Sequence, residues 1–222
     1  MFSLCRPSAA AIDRFLTEQS RLPFSYGEVG ATGGSPPAGF NADHYRFRLG
    51  SGEAVFSAAV QALERWWMFD MGWVELPAPP RSITPGTTVG LLVRPFRLWT
   101  LMACRIVYVV RETGELHRNG FAYGTLAGHM EQGEERFLIE WDTGDDSVWY
   151  DVRAFSRPNA WMAWLGYPLT RRLQRRFVHD SAAALKRALT RILGAAEVCS
   201  PGLRTCEHLL PVEQVPNREM PR

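Results

Sequence analysis

Apolar and polar positions repeat along the chain with a helical period, then with period two, then with a helical period again, and these changes divide it into elements. Ser8 is placed to cap a short helix carrying Ile12, Phe15 and Leu16 on one face, and the following LPFSYGEVGATGGSPPAGF is too rich in glycine and proline to extend it. HYRFRLG alternates apolar with basic residues up to Gly50, the pattern of a half-exposed strand. Ser51 then stands at an N-cap position with Glu53 in the first turn, and Phe56, Ala59, Val60, Leu63, Trp66 and Trp67 form one helical stripe. From Trp73 to Pro158 the period is two. WVELPAPP, TTVGLLVR, LMACRIVYVV, GFAYGTL, RFLIEWD and SVWYDVRAF read as about five or six antiparallel strands, with AGHMEQGEE and TGDD as hairpin connections. Within them Cys104, Ile106, Tyr108 and Val110 fall on one side of their strand, and Phe137, Ile139 and Trp141 are aimed inward from theirs.

Pro168 opens the longest helical pattern, which runs to about Leu193, and proline is tolerated at a first helical position. Its apolar stripe is Leu169, Leu173, Phe177, Ser181, Ala184, Leu185, Ala188, Leu189 and Ile192, and its other face carries Arg171, Arg172, Arg175, Arg176, Lys186, Arg187 and Arg191. NAWMAWLGY, just before it, reads as a short leading helix, and residues 194–222 show no periodicity and read as a mobile tail. The order of elements predicts an α+β, helix-grip architecture: a curved antiparallel β-sheet wrapped around a long C-terminal α-helix. Residues 1–38 form an N-terminal helix and entry segment packed on the domain, residues 39–193 the helix-grip domain, and residues 194–222 the tail. One helix does not fill the concave side of such a sheet unless its side chains are large, so a cavity is expected between them.

The bulk composition narrows the function classes. A single domain of 222 residues buries roughly 70% of the surface its unfolded chain exposes, and the 8 Trp and 12 Phe need a large core or a cavity to cover them. A net charge of +2 gives no global field for nucleic acid or anionic membrane, so only a local patch argues for either. Cys5, Cys104, Cys199 and Cys206 lack C-x-x-C spacing, and MFSLCRPSAAAIDRF has arginine and aspartate where a secretory signal needs an unbroken apolar run. Reduced thiols in a cytoplasmic chain are the reading these features predict.

LPFSYGEVGAT, DHYRFRLGSGEAVF, ACRIVYVV, FAYGTLAGHMEQGEERF, VWYDVRAFSRP and LGYPLTRRLQRRFVHDSAAALKRAL recur in an order and spacing that resembles the domain of unknown function nineteen-ninety family, over roughly Pro7 to Leu193. That family is grouped with the START-like, Bet v 1-like (SRPBCC) helix-grip proteins. The resemblance therefore implies the architecture the periodicity predicts, and it implies no known activity.

Four groups of residues are candidates for chemistry. His129, Glu131, Glu134 and Glu135 crowd together in GTLAGHMEQGEERFLIEW, but the zinc-deaminase pattern also needs a later P-C-x-x-C and the zinc-protease pattern needs H-E-x-x-H; neither is present. No metal is expected there. A charged hairpin or an acid–base role at a cavity mouth is the remaining choice. Asp151 and Arg153 share one face of their strand while Val148, Tyr150, Val152 and Ala154 take the other, so the pair lies outside the core or, in the opposite register, buried inside the grip. Asp43, His44 and Tyr45, with Tyr26, Tyr108 and Tyr123, bring polar groups that either orient a ligand or rest satisfied in the core. Cys104 lies mid-strand among apolar neighbours, as a buried inert thiol does. No Gly-x-Ser-x-Gly elbow or phosphate loop is present, and no cofactor is expected.

Three functions follow as expectations. The first is binding of a small, largely apolar molecule by Tyr108, Tyr123, Phe137, Trp141, Tyr150, Phe177, Ser181 and Ala184, with the small helix residues leaving it room. The second is an enzyme using His129, Glu131, Tyr123 and Asp151 for acid–base chemistry. The third is docking of an anionic partner, including a peripheral membrane surface, on Arg171, Arg172, Arg175 and Arg176; nucleic acid is disfavoured because no exposed aromatic platform accompanies them.

Overall fold

The structure, a computed structural model, describes residues 2–95, 98–159 and 167–199. The leading helix expected in NAWMAWLGY and residues 200–222 of the expected tail lie outside the described residues. The strands are β1 (Phe2–Ser3), β2 (Asn41–Ser51), β3 (Val74–Glu75), β4 (Thr88–Val93), β5 (Trp99–Glu112), β6 (Leu116–Thr125), β7 (Glu131–Asp142) and β8 (Ser147–Pro158). The helices are α1 (Ala9–Gln19), α2 (Glu53–Glu64) and α3 (Tyr167–Cys199).

The sheet runs β2-β8-β7-β6-β5-β4-β3, every neighbouring pair antiparallel, with β1 added beside the start of β5. The region from Trp73 to Pro158 thus supplies six strands, and β2 joins the other edge by pairing with β8. The sheet curls into a half-barrel whose concave face packs on α2 and α3, the helix-grip arrangement that the pattern predicts. Phe121, Phe137, Ile139, Val148, Tyr150 and Val152 form the centre of that face, and Leu63, Ala182, Leu185 and Leu189 cover it from the helices.

Local chemistry corrects three expectations. Ser51 ends β2, and the N-cap of α2 is Gly52, whose backbone at φ +91° suits glycine and whose N–H donates to the Asp146 carbonyl over 2.9 Å. A bulge between Ile106 and Tyr108 inserts one residue against β6. Cys104 and Ile106 stay in the core, but Tyr108 turns to the convex side and its hydroxyl meets Thr32 Oγ1 at 2.8 Å. The final helix passes through Gly194 to Cys199, beyond the end its apolar stripe marks, because a single glycine weakens a helix by only about 1 kcal/mol.

The N-terminal segment covers part of the convex face. Ser8 caps α1 by accepting from the Ala11 N–H, and Ile12 packs with Leu92 and Leu101 in a second small core. Further along, Tyr26 crosses Gly124 so closely that a Cβ there would lie 2.0 Å from its hydroxyl, and this approach lets the hydroxyl donate to Glu134 Oε2 at 2.8 Å. Glu134 also accepts from the N–H groups of Gly30 and Thr32 and from the Thr32 hydroxyl. Its carboxylate is consumed in pinning the entry segment to the sheet.

Candidate functional site

A pocket of about 440 Å³ opens between the concave face and the first turns of α3. Its walls are mostly apolar, from Leu91 and Val93 on β4, Cys104 on β5, Val152 and Ala154 on β8, and Leu173, Phe177 and Val178 on α3. Phe2, Leu98, Met130 and Leu169 line it while remaining 59%, 38%, 43% and 46% exposed, so its open end has an apolar rim.

One acidic group faces this apolar space from the sheet. The alternation that aims Phe137 and Ile139 inward gives Glu135 the same side of β7. Its cross-strand partners are Tyr123 on β6 and the small Ala154 on β8, and both line the pocket with it. The Tyr123 hydroxyl donates to Glu135 Oε2 at 2.9 Å. Burial pushes the Glu135 carboxyl up to about 8; the Tyr123 bond opposes this, and the negative charges of Asp43 and Glu131 add to it. Burial and the neighbouring Glu135 also hold the Tyr123 hydroxyl protonated, so it is the donor of the pair.

A polar band lies nearer the opening. Asp43 on β2 is gripped by both terminal nitrogens of Arg171, and Glu131 accepts from Gln174 Nε2 through both oxygens, at 2.7 and 2.8 Å. Burial raises the Glu131 carboxyl against the lowering effect of Gln174 and Arg171. His129 is lowered to about 4 by burial, only partly offset by its backbone bond to Glu131. Its Nδ1 lies 3.0 Å from the Glu131 carbonyl oxygen and 3.1 Å from the Glu131 backbone nitrogen.

The structure divides the predicted site residues. Tyr123, His129, Glu131 and Phe177 line the pocket. Phe137 is sealed in the core behind it, and Trp141 stacks on His117 and packs at a tilt against Phe56. The room expected beside Ser181 is taken by Tyr150, whose hydroxyl meets Ser181 Oγ at 2.9 Å, and Ala184 is likewise buried in packed core. Tyr108 is on the convex face because the bulge after Ile106 reverses its parity.

Asp151 is on the convex face as well, so the outer register is the one adopted, and it does not meet the other three acid–base candidates. It is nevertheless 1% exposed: Arg136 donates to Oδ1 at 2.9 Å, His44 Nε2 lies 2.6 Å from Oδ2, and Arg46 and Arg153 stand at 3.5 and 3.6 Å. Burial alone would raise its carboxyl, but His44 and Arg136 outweigh it and hold the group below the ordinary range. The four basic side chains surround one carboxylate on the outer side of the sheet. The basic patch on α3 is reduced in the same way, since Arg171 is paired with Asp43, Arg176 with Asp180, and Arg175 lines the pocket.

Glu135 is the residue that sequence reasoning left among the rim acids. Its parity with Phe137 and Ile139 is the signal that assigns it to the interior. Among the described residues no three His, Cys, Asp or Glu side chains converge as a metal ion would require, and no helix is long and apolar enough to cross a membrane.

Comparison with known proteins adds a family. Residues 25–184 match the family described as Domain of unknown function (DUF1990). The chain is 34% identical over 208 residues to a UPF0548 protein of Dictyostelium discoideum, covering 85% of this chain and 96% of that one. It is 38% identical over 201 residues to a UPF0548 protein of Deinococcus radiodurans, covering 85% and 98%. Among solved structures, Ara h 8.0201 aligns at 10% identity with a TM-score of 0.42 over 71% of this chain and 99% of its own, and a second Deinococcus radiodurans protein at 14% and 0.40 over 69% and 98%.

Proposed function

The chain belongs to the DUF1990 family, and we propose that it binds a small, largely apolar molecule in the pocket between the sheet and α3. The observation that carries this reading is the pocket itself: about 440 Å³ of mostly apolar space, open through an apolar rim and containing the Tyr123–Glu135 pair. Small-molecule sites of about 300–1,000 Å³ are built in this way, with few polar groups to fix orientation in an apolar container. The cytoplasm is the compartment we propose, supported by Cys5 and Cys104, neither of which is in a disulfide.

Native mass spectrometry of the purified protein tests the reading, together with an Ala154→Trp variant that fills the pocket. The expected result is a co-purified small molecule, or uptake of an added probe such as 1-decanol, that Ala154→Trp abolishes while the variant still unfolds cooperatively. Absence of any adduct, or decanol binding that Ala154→Trp leaves unchanged, would overturn it.

A second reading, acid–base catalysis on the bound molecule, is favoured by one observation. A carboxyl group held at about 8 in a mostly apolar pocket both gives and takes a proton near neutral pH. The residues that would carry it are Glu135 and Tyr123.

A further inference from the structure

We infer that the molecule this pocket takes is an amphiphilic amine, an apolar body ending in one basic nitrogen that pairs with the carboxyl group of Glu135. The inference rests on the pocket being a binding site and names the class of its ligand.

The other enclosed acids are satisfied within the fold. On the convex face Asp151 has Arg136 and His44, and Glu140 has Arg46 at 2.8 Å and Arg118 at 3.0 Å. At the pocket's polar band Asp43 has Arg171, and Glu131 has the side-chain amide of Gln174. Glu134 is filled by four hydrogen bonds from the N-terminal segment. Glu135 stands apart among the described residues. It has one hydrogen bond, from Tyr123 to Oε2, and no ion pair, and its carboxyl is turned to an apolar space beside Ala154, which leaves it uncovered. Such a group is costly to enclose as an anion unless a cation meets it.

The surrounding charge selects among candidate partners. The acidic neighbours that act on Glu135 are Asp43 and Glu131; from α3, Arg171 pairs with Asp43 and Arg175 also lines the pocket. A ligand carboxylate set against Glu135 itself would meet like charge, and a neutral molecule would leave the Glu135 carboxylate without a cation. An ammonium group compensates it and donates to the free Oε1, while the apolar body occupies the space between Leu91, Val152 and Phe177 toward the rim.

Proton balance gives a signature. The free carboxyl titrates at about 8 and is mostly protonated at pH 6 to 7, whereas an alkylammonium is already charged. Forming the ion pair releases the Glu135 proton to solvent, close to one per ligand at pH 6. Amine affinity should therefore rise about tenfold per pH unit between pH 6 and 8 and then level off.

The experiment is calorimetric titration of the full chain with decylamine, 1-decanol and decanoate, each below its aggregation limit, in buffers of different ionisation enthalpy. Wild type should bind decylamine at least about tenfold more tightly than decanol, with proton release. Glu135→Gln should erase that margin and the proton release. A margin that survives Glu135→Gln, or decanol or decanoate binding as tightly as the amine to wild type, overturns the amine assignment while leaving the pocket reading intact. Failure of all three probes to bind overturns both. Should Glu135→Gln not fold, the pH dependence in wild type decides: amine affinity flat between pH 6 and 8 overturns the inference.

Discussion

Tyr123 and Glu135 are cross-strand partners on β6 and β7, and the tyrosine hydroxyl donates the one hydrogen bond that the Glu135 carboxyl receives. That bond favours the ionised carboxylate, while burial opposes it. Tyr123→Phe removes the favourable part and keeps the ring in the core. The Glu135 carboxyl should then titrate above its present value of about 8, as followed by carbon NMR of the side-chain carboxyl. A downward shift would show that Tyr123 does not act on Glu135 in this way.

The same group makes stability depend on pH in a defined direction. The folded-state pKa of about 8 lies above the ordinary 4.5, so between those values the folded chain holds a proton the unfolded chain has released. Stability contributed by this group is full below about 4.5 and is lost as pH rises to about 8, on the order of a few kcal/mol in total. Glu135→Gln removes the effect. Urea unfolding of both proteins from pH 5 to 8.5 should show the variant gaining stability relative to wild type with rising pH, and the gain levelling off above about 8. The comparison cancels His129, which titrates the other way and is common to both proteins. A constant difference across the range would contradict the burial of Glu135.

The pattern of apolar positions was enough to read the α3 stripe and the succession of antiparallel strands, because periods of 3.6 and 2 directly report which side of an element meets the core. The position of Tyr108 was not legible, since one inserted residue at the Ile106/Tyr108 bulge reverses parity and leaves no compositional mark. Filling of the space beside Ser181 by Tyr150 depended on the distance between sheet and helix, which a single sequence does not encode. Glu135 was legible in principle. Strict alternation from Phe137 assigns it inward, but its neighbours Glu131 and Glu134 made the stretch look like a charged turn.

Asp151 is a buried acid held by surrounding cations on the convex face. Arg136, only 8% exposed, depends on it for a charge partner, and His44 completes the cluster on the convex face. Asp151→Ala should destabilise the protein by about 3–5 kcal/mol in urea unfolding, because a guanidinium is left buried without its anion. Ligand affinity of the remaining folded protein should be unchanged, since the pocket opens on the opposite face. A loss of binding without a loss of stability would return Asp151 to the functional site.

Gly124 is the position where the N-terminal segment depends on the absence of a side chain. A Cβ there would meet the Tyr26 hydroxyl at 2.0 Å and its Cζ at 2.8 Å, so Gly124→Ala must expel the ring from its place over β6. The Tyr26–Glu134 hydrogen bond is lost with it, and Glu134, 3% exposed, keeps only its bonds from Gly30 and Thr32. Overpacking and the broken bond together should cost about 2–4 kcal/mol. In a Tyr26→Ala background the obstruction is gone, and the same Gly124→Ala change should cost well under half as much. This non-additivity, read from a double-mutant cycle in urea, separates a clash with Tyr26 from a general intolerance of alanine on β6. Additive costs would mean that Gly124 is required for some other reason, and that the entry segment is held to the sheet without the close approach of Tyr26.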